Sequence, residues 1–165
     1  MAVALAMNFR CDAAETPATW MDLSTAPTYT HKIDGLEKVN LDATSTPAVT
    51  KAWSDQRSLS AGTDTIDLTA LAVPGQDAVD FSGLKVQVIK FYNRSGNSGA
   101  MEIAPDATNG YNIFGTNDDK VTVPVGGAIQ AYLPEGNPDV AGGSADEITI
   151  TGTGTDTYDI LLVAG

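Results

Sequence analysis

The sequence predicts an all-β protein: an antiparallel β-sandwich, jelly-roll-like, preceded by an extended amino-terminal arm. Three observations point there. Gly, Thr, Ala and Asp are abundant while Leu/Glu/Lys-rich helical runs are missing. Short alternating segments recur between Gly- and Asn-rich turns. One segment, LKVQVIKFY at 84–92, is apolar on both parities, as expected of a strand covered on both sides. No fixed-period repeat suggests a solenoid or propeller.

The predicted boundary falls near Pro47, giving an arm over residues 1–47 and a sandwich over 48–165. Pro17, Pro27 and Pro47 punctuate the arm, in which TYTHKI (28–33) and KVNL (38–41) read as short strands. In an assembly protein such an arm lies across a neighbour; in a monomer it is a tail.

From Ala48 the pattern tightens. AVTKAW carries Val49 and Trp53 and continues to Leu59, and Ser60-Ala61-Gly62 is a turn signal. TDTIDLTAL (63–71) sets Ile66, Leu68 and Ala70 against Thr65, Asp67 and Thr69, the pattern of a half-buried strand. Within LKVQVIKFY, strict alternation puts Leu84, Val86 and Val88 on one face and Ile89 and Phe91 on the other. AMEIA (100–104) points Met101 and Ile103 inward, and residues 111–114 read as a continuation of the sheet. KVTVPV (120–125) alternates until Pro124, which argues for an edge or a bend. AIQAYL (128–133), EITIT (147–151) and TYDILLV (157–163) complete eight to ten expected strands, the last central because its end is apolar on both parities. Val88, Ile150 and Leu161 are the expected core markers.

The chain has 165 residues, 42% of them hydrophobic, enough for one domain with a core of its own. Its net charge of −12 opposes binding to nucleic acid or anionic membranes. Cys11 is the only cysteine, so no internal disulfide forms, in keeping with synthesis in a reducing cytoplasm. MAVALAM lacks the basic flank and apolar length of a secretion signal, and no stretch reaches the roughly 20 apolar residues of a membrane span.

No catalytic constellation emerges. His31, the only histidine, and Cys11 both lie in the arm, away from a rigid scaffold. The carboxylate pairs Asp64/Asp67, Asp118/Asp119 and Asp146/Glu147 mostly sit at turns, where Asp serves the backbone. DATNG (106–110) and GTNDD (115–119) hold oxygen ligands for a cation but lack the spacing of an EF-hand loop. Neither Gly126-Gly127 nor Gly152-Thr153-Gly154 precedes a helix that would cradle phosphate. Tyr92, Tyr111, Phe114, Tyr132 and Tyr158 fall in or beside strands, where core packing competes with service as a sugar platform. The sequence therefore assigns no catalytic residue, cofactor or metal ligand. It assigns an assembly contact instead: Phe9, Trp20, Met21, Leu23 and Tyr29, large apolar groups that an unstructured arm has no reason to keep exposed.

The order of segments over residues 81–165 carries a resemblance: GLKVQVIKFYN, a turn and short strand, NGYNIFG, VTVPVGGAIQAYLPEG, a Thr-rich strand and YDILLVAG. It resembles small β-rich virion structural proteins of tailed bacteriophages, of the capsid-decoration or minor structural type. The resemblance covers about half the chain and includes no diagnostic motif. It implies a non-enzymatic, oligomeric protein made in the host cytoplasm and incorporated into the virion, with the major capsid protein as partner. The alternative is a tail-associated or receptor- and carbohydrate-binding module.

Overall fold

The computed structural model describes residues 3–9, 38–116, 119–134 and 137–165, and the backbone of 13–15 and 29–31. Among the described residues the protein is all-β. Its strands are β1 (Ala4–Asn8), β2 (Ala13–Glu15), β3 (Tyr29–His31), β4 (Lys38–Asp42), β5 (Lys51–Ser58), β6 (Thr63–Asp67), β7 (Val86–Asn93), β8 (Met101–Pro105), β9 (Val121–Val123), β10 (Ala128–Tyr132), β11 (Glu147–Thr151) and β12 (Thr157–Ala164). The short strands expected at 28–33 and 38–41 are β3 and β4, and β1 and β2 are the strands before Ala48 that the sequence did not mark.

Two four-stranded sheets have the orders β10-β7-β12-β5 and β6-β11-β8-β9, and β1-β4 and β2-β3 form two-stranded ribbons. Every strand pairing is antiparallel. Both four-stranded sheets feed one apolar cluster: Trp53, Ile89, Phe91, Tyr158 and Leu162 from the first, Ile66, Met101, Ile103, Ile148 and Ile150 from the second. A smaller cluster lies on the opposite face of the first sheet, where Met7, Val39 and Leu41 of the β1-β4 ribbon meet Val49, Val88 and Val163. The ribbon alternates as a half-buried pair should: Met7, Val39 and Leu41 are buried, while Ala4, Ala6, Lys38 and Asn40 are exposed.

β7 and β12 are thus central strands with apolar groups on both faces, as their composition predicts. The parity of β7 differs from expectation. Val163 pairs with Val88 but Ala164 pairs with Val86, so Gln87 is the extra residue of a β-bulge. Val86 therefore joins Ile89 and Phe91 in the main cluster, and Val88 faces the ribbon. Gln87 is buried at the bulge and donates from Nε2 to the Ala48 carbonyl at 2.6 Å.

Val88 and Ile150 are buried as expected, whereas Leu161 is half-buried against the ribbon cluster; Ile160 and Leu162 face the main core. β6 ends at Asp67 and leaves Ala70 exposed, because Asp67 Oδ1 accepts from Thr69 N and Oγ1 and turns the chain. Residues 111–114 form no strand. Tyr111 and Ile113 enter the core from a loop, and Tyr111 Oη accepts from Val86 N at 3.0 Å and donates to the Pro138 carbonyl at 2.8 Å. Burial pushes that hydroxyl's pKa up to about 12. β9, which precedes Pro124, is an edge strand as the proline predicts.

Candidate binding surface

The register lays out the outer face of the first sheet row by row. Partner assignments align Ala52, Val163, Val88 and Tyr132; then Ser54, Leu161, Lys90 and Gln130; then Gln56, Asp159, Tyr92 and Ala128. The first row is apolar or aromatic and packs with the ribbon cluster. The third is mostly polar. The face therefore passes from dry to wet in four residues of strand, and the ribbon covers its dry end.

Beyond the ribbon lies an open cleft of about 660 Å³ whose lining includes Ser54, Gln56, Pro74, Lys90, Tyr92, Asp159 and Leu161. Ser54, Gln56 and Lys90 are exposed; Tyr92, Asp159 and Leu161 are half-buried. Arg94 Nη2 donates to Asp159 Oδ1 at 2.7 Å, closing one corner with an ion pair. A second cavity of about 250 Å³ runs beneath the ribbon and shares Lys90 and Leu161 with the cleft. Gln130 lines it, and its Nε2 is buried without a hydrogen-bond partner.

Two polar networks hold the cleft's scaffold. Arg57 on β5 makes a bidentate pair with Asp64 on β6, at 2.6 and 2.8 Å, and Tyr158 Oη on β12 donates to Asp64 Oδ2 at 2.5 Å. This ties the two four-stranded sheets together. Burial of Asp64 opposes ionisation, but the hydrogen bonds from Arg57 and Tyr158 and the Arg57 charge outweigh it and hold the carboxyl below its usual range. Burial and the bond to Asp64 push the Tyr158 hydroxyl up, so it stays protonated. The Tyr158 ring stacks on Phe91 with centroids 5.0 Å apart. At the sheet's far end Asn93 Nδ2 donates to the Gly99 and Val123 carbonyls, Asn97 Nδ2 donates to Asn93 Oδ1, and Asp156 accepts from Ser98 and Gly99. That loop is pinned rather than free.

The sequence-assigned contact residues fall in different places. Phe9 follows β1 and is half-buried against the ribbon cluster of its own chain. The backbone of Tyr29 pairs with Glu15. Trp20, Met21 and Leu23 lie outside the described residues, as do Cys11 and Asp118. His31 pairs through its backbone with Ala13. The carboxylates are occupied in turns: Asp106 accepts from Thr108 and Thr149, Asp119 from Thr116, and Asp146 from Gly143. Among the described residues no group of three or more His, Cys, Asp or Glu is placed to hold a metal ion.

Of the aromatics singled out by sequence, Tyr111 and Tyr158 are core residues and Tyr92 reaches the cleft. Ser54, Gln56 and Asp159 carry no motif. Alternation marks them as outward-facing, but only strand order and register align them with Tyr92. No protein-family model matches the chain, and no curated protein matches its sequence.

Proposed function

We propose that the protein is a non-enzymatic virion structural protein that decorates or cements a bacteriophage capsid through subunit contacts. Its partners are the major capsid protein and further copies of itself. One observation carries this reading. The region that resembles phage virion proteins, residues 81–165, supplies three strands to each four-stranded sheet, β7, β10 and β12 to one and β8, β9 and β11 to the other. The likeness thus runs through the body of the fold rather than an appendage.

We infer, too, that the sheets face each other as a jelly-roll-like sandwich, a reading supported by the cluster they share. The tie to the particle lies in the span between β1 and β4, which holds Trp20, Met21, Leu23 and Tyr29. The ribbon roots that span on the sandwich through Met7, Val39 and Leu41. Burying each such large apolar group on a neighbour contributes about 1.5–3 kcal/mol.

Density-gradient centrifugation of lysate from cells producing the virus that encodes the chain tests the proposal. The chain should band with the capsids. A chain found only at the top of the gradient, with folded capsids below it, contradicts virion incorporation.

A further inference from the structure

We propose that the uncovered part of the first sheet's outer face binds a neutral carbohydrate chain. The inference does not depend on the virion reading. Among the described residues, the side chains of Ser54, Gln56, Lys90 and Tyr92 have no hydrogen-bond partner in the protein, yet the register brings them into two adjacent rows. With Asp159, which keeps acceptor capacity beside Arg94, they offer hydroxyl, amide, ammonium, phenol and carboxylate groups across three strands.

The shape and charge select among ligands. Adjacent strands lie roughly 4.8 Å apart, so the Gln56–Asp159–Tyr92 row spans about 10 Å, the scale of a short oligosaccharide rather than a single small ion. The cleft's 660 Å³ falls within the roughly 300–1,000 Å³ of small-molecule sites. A half-buried Tyr92 with Leu161 beside it gives a sugar's C–H face an apolar seat, while the flanking polar groups meet its hydroxyls. A polyanion is disfavoured: the chain carries −12, Arg94 is neutralised by Asp159, and Lys90 is the one uncommitted cation of these rows. A protein partner finds little here, since the apolar row is already covered by the ribbon. The strands supply a rigid base, so little ordering opposes binding.

The full chain is screened on a printed array of neutral and acidic glycans, then run in native gels cast with the neutral polysaccharide that scores, beside gels cast with chondroitin sulfate. Retardation by the neutral polysaccharide is expected. Tyr92→Ala and Gln56→Ala should each weaken it tenfold or more, while Thr122→Ala on the other sheet leaves it unchanged. Gln56 is exposed, so its variant retains the fold even where Tyr92→Ala does not, and far-ultraviolet circular dichroism verifies both. Absence of any neutral-glycan signal, retention by chondroitin sulfate alone, or retardation unchanged in Gln56→Ala overturns the proposal. Loss of capsid binding in these variants without any glycan signal makes the face a protein contact and overturns it equally.

Discussion

Val86 and Val88 stand two positions apart on one strand yet face opposite sides of it, because Gln87 bulges between them. The bulge lets one strand serve two apolar clusters, with Val86 toward the second sheet and Val88 toward the β1-β4 ribbon. Val88→Ala should cost about 1–3 kcal/mol, the transfer energy of the lost methyl groups plus a residual cavity. Val88→Asp should cost several kcal/mol, comparable with a domain's whole stability. Urea unfolding measures both; a Val88→Asp protein as stable as the parent contradicts the two-cluster description.

The Arg57–Asp64–Tyr158 network makes a sharper demand. Tyr158→Phe removes one hydrogen bond to a charged group and should cost about 1.5–3 kcal/mol. Asp64→Ala leaves the Tyr158 phenol without its acceptor and the Arg57 guanidinium with only Asp55, at 3.7 Å, and should cost more. An Asp64→Ala protein as stable as the parent in denaturant titrations would show that Asp64 holds nothing together.

The same carboxylate sets a pH dependence. Its pKa is lowered in the folded protein, so its contribution is fully present above the unfolded value near 3.9. That contribution is lost as pH falls through the lower folded value. Melting temperatures should therefore drop steeply below about pH 4, and Asp64→Asn should flatten that drop. Identical acid limbs in parent and variant would assign the loss to the other carboxylates.

The turn between β5 and β6 holds Ala61 at φ 52° and Gly62 at φ 88°. This is the left-handed pair of a tight hairpin turn, and Ala is strained there by its Cβ. Ala61→Gly should raise stability by about 0.5–1 kcal/mol, the relief of that strain less the entropy of a freer unfolded chain. Gly62 has no such latitude, because a Cβ there would approach the Gly152 carbonyl oxygen to 3.0 Å. A lower melting temperature for Ala61→Gly contradicts this account of the turn.

The sequence revealed the strands better than the surface they build. EITIT alternates, and β11 places Ile148 and Ile150 in the core as alternation demands. Pro124 marked an edge because it cannot donate to a ladder. The bulge at Gln87 was invisible, since a run of apolar residues fits either parity and only pairing with Val163 and Ala164 settles it. The 111–114 segment misled because Tyr and Ile suit a strand, yet the Tyr111 hydroxyl serves a backbone amide from a loop. The cleft was least legible: Gln56, Asp159 and Tyr92 are far apart in sequence and become neighbours through strand order alone.

In the role proposed above, the span between β1 and β4 ties a folded β domain to a capsid. Co-sedimentation with capsid shells of the phage proposed to carry it tests this most directly, comparing the full chain with a variant whose residues 10–37 are replaced by a short Gly-Ser linker. That deletion keeps Met7, Val39 and Leu41, whose removal would uncover Val88 and Val163. The full chain should pellet with the shells to saturation, and the deletion variant, which among the described strands lacks only the short β2-β3 ribbon, should remain in the supernatant with a folded, β-type circular dichroism spectrum. A full chain that never pellets, or a deletion variant that binds with equal affinity, contradicts the claim.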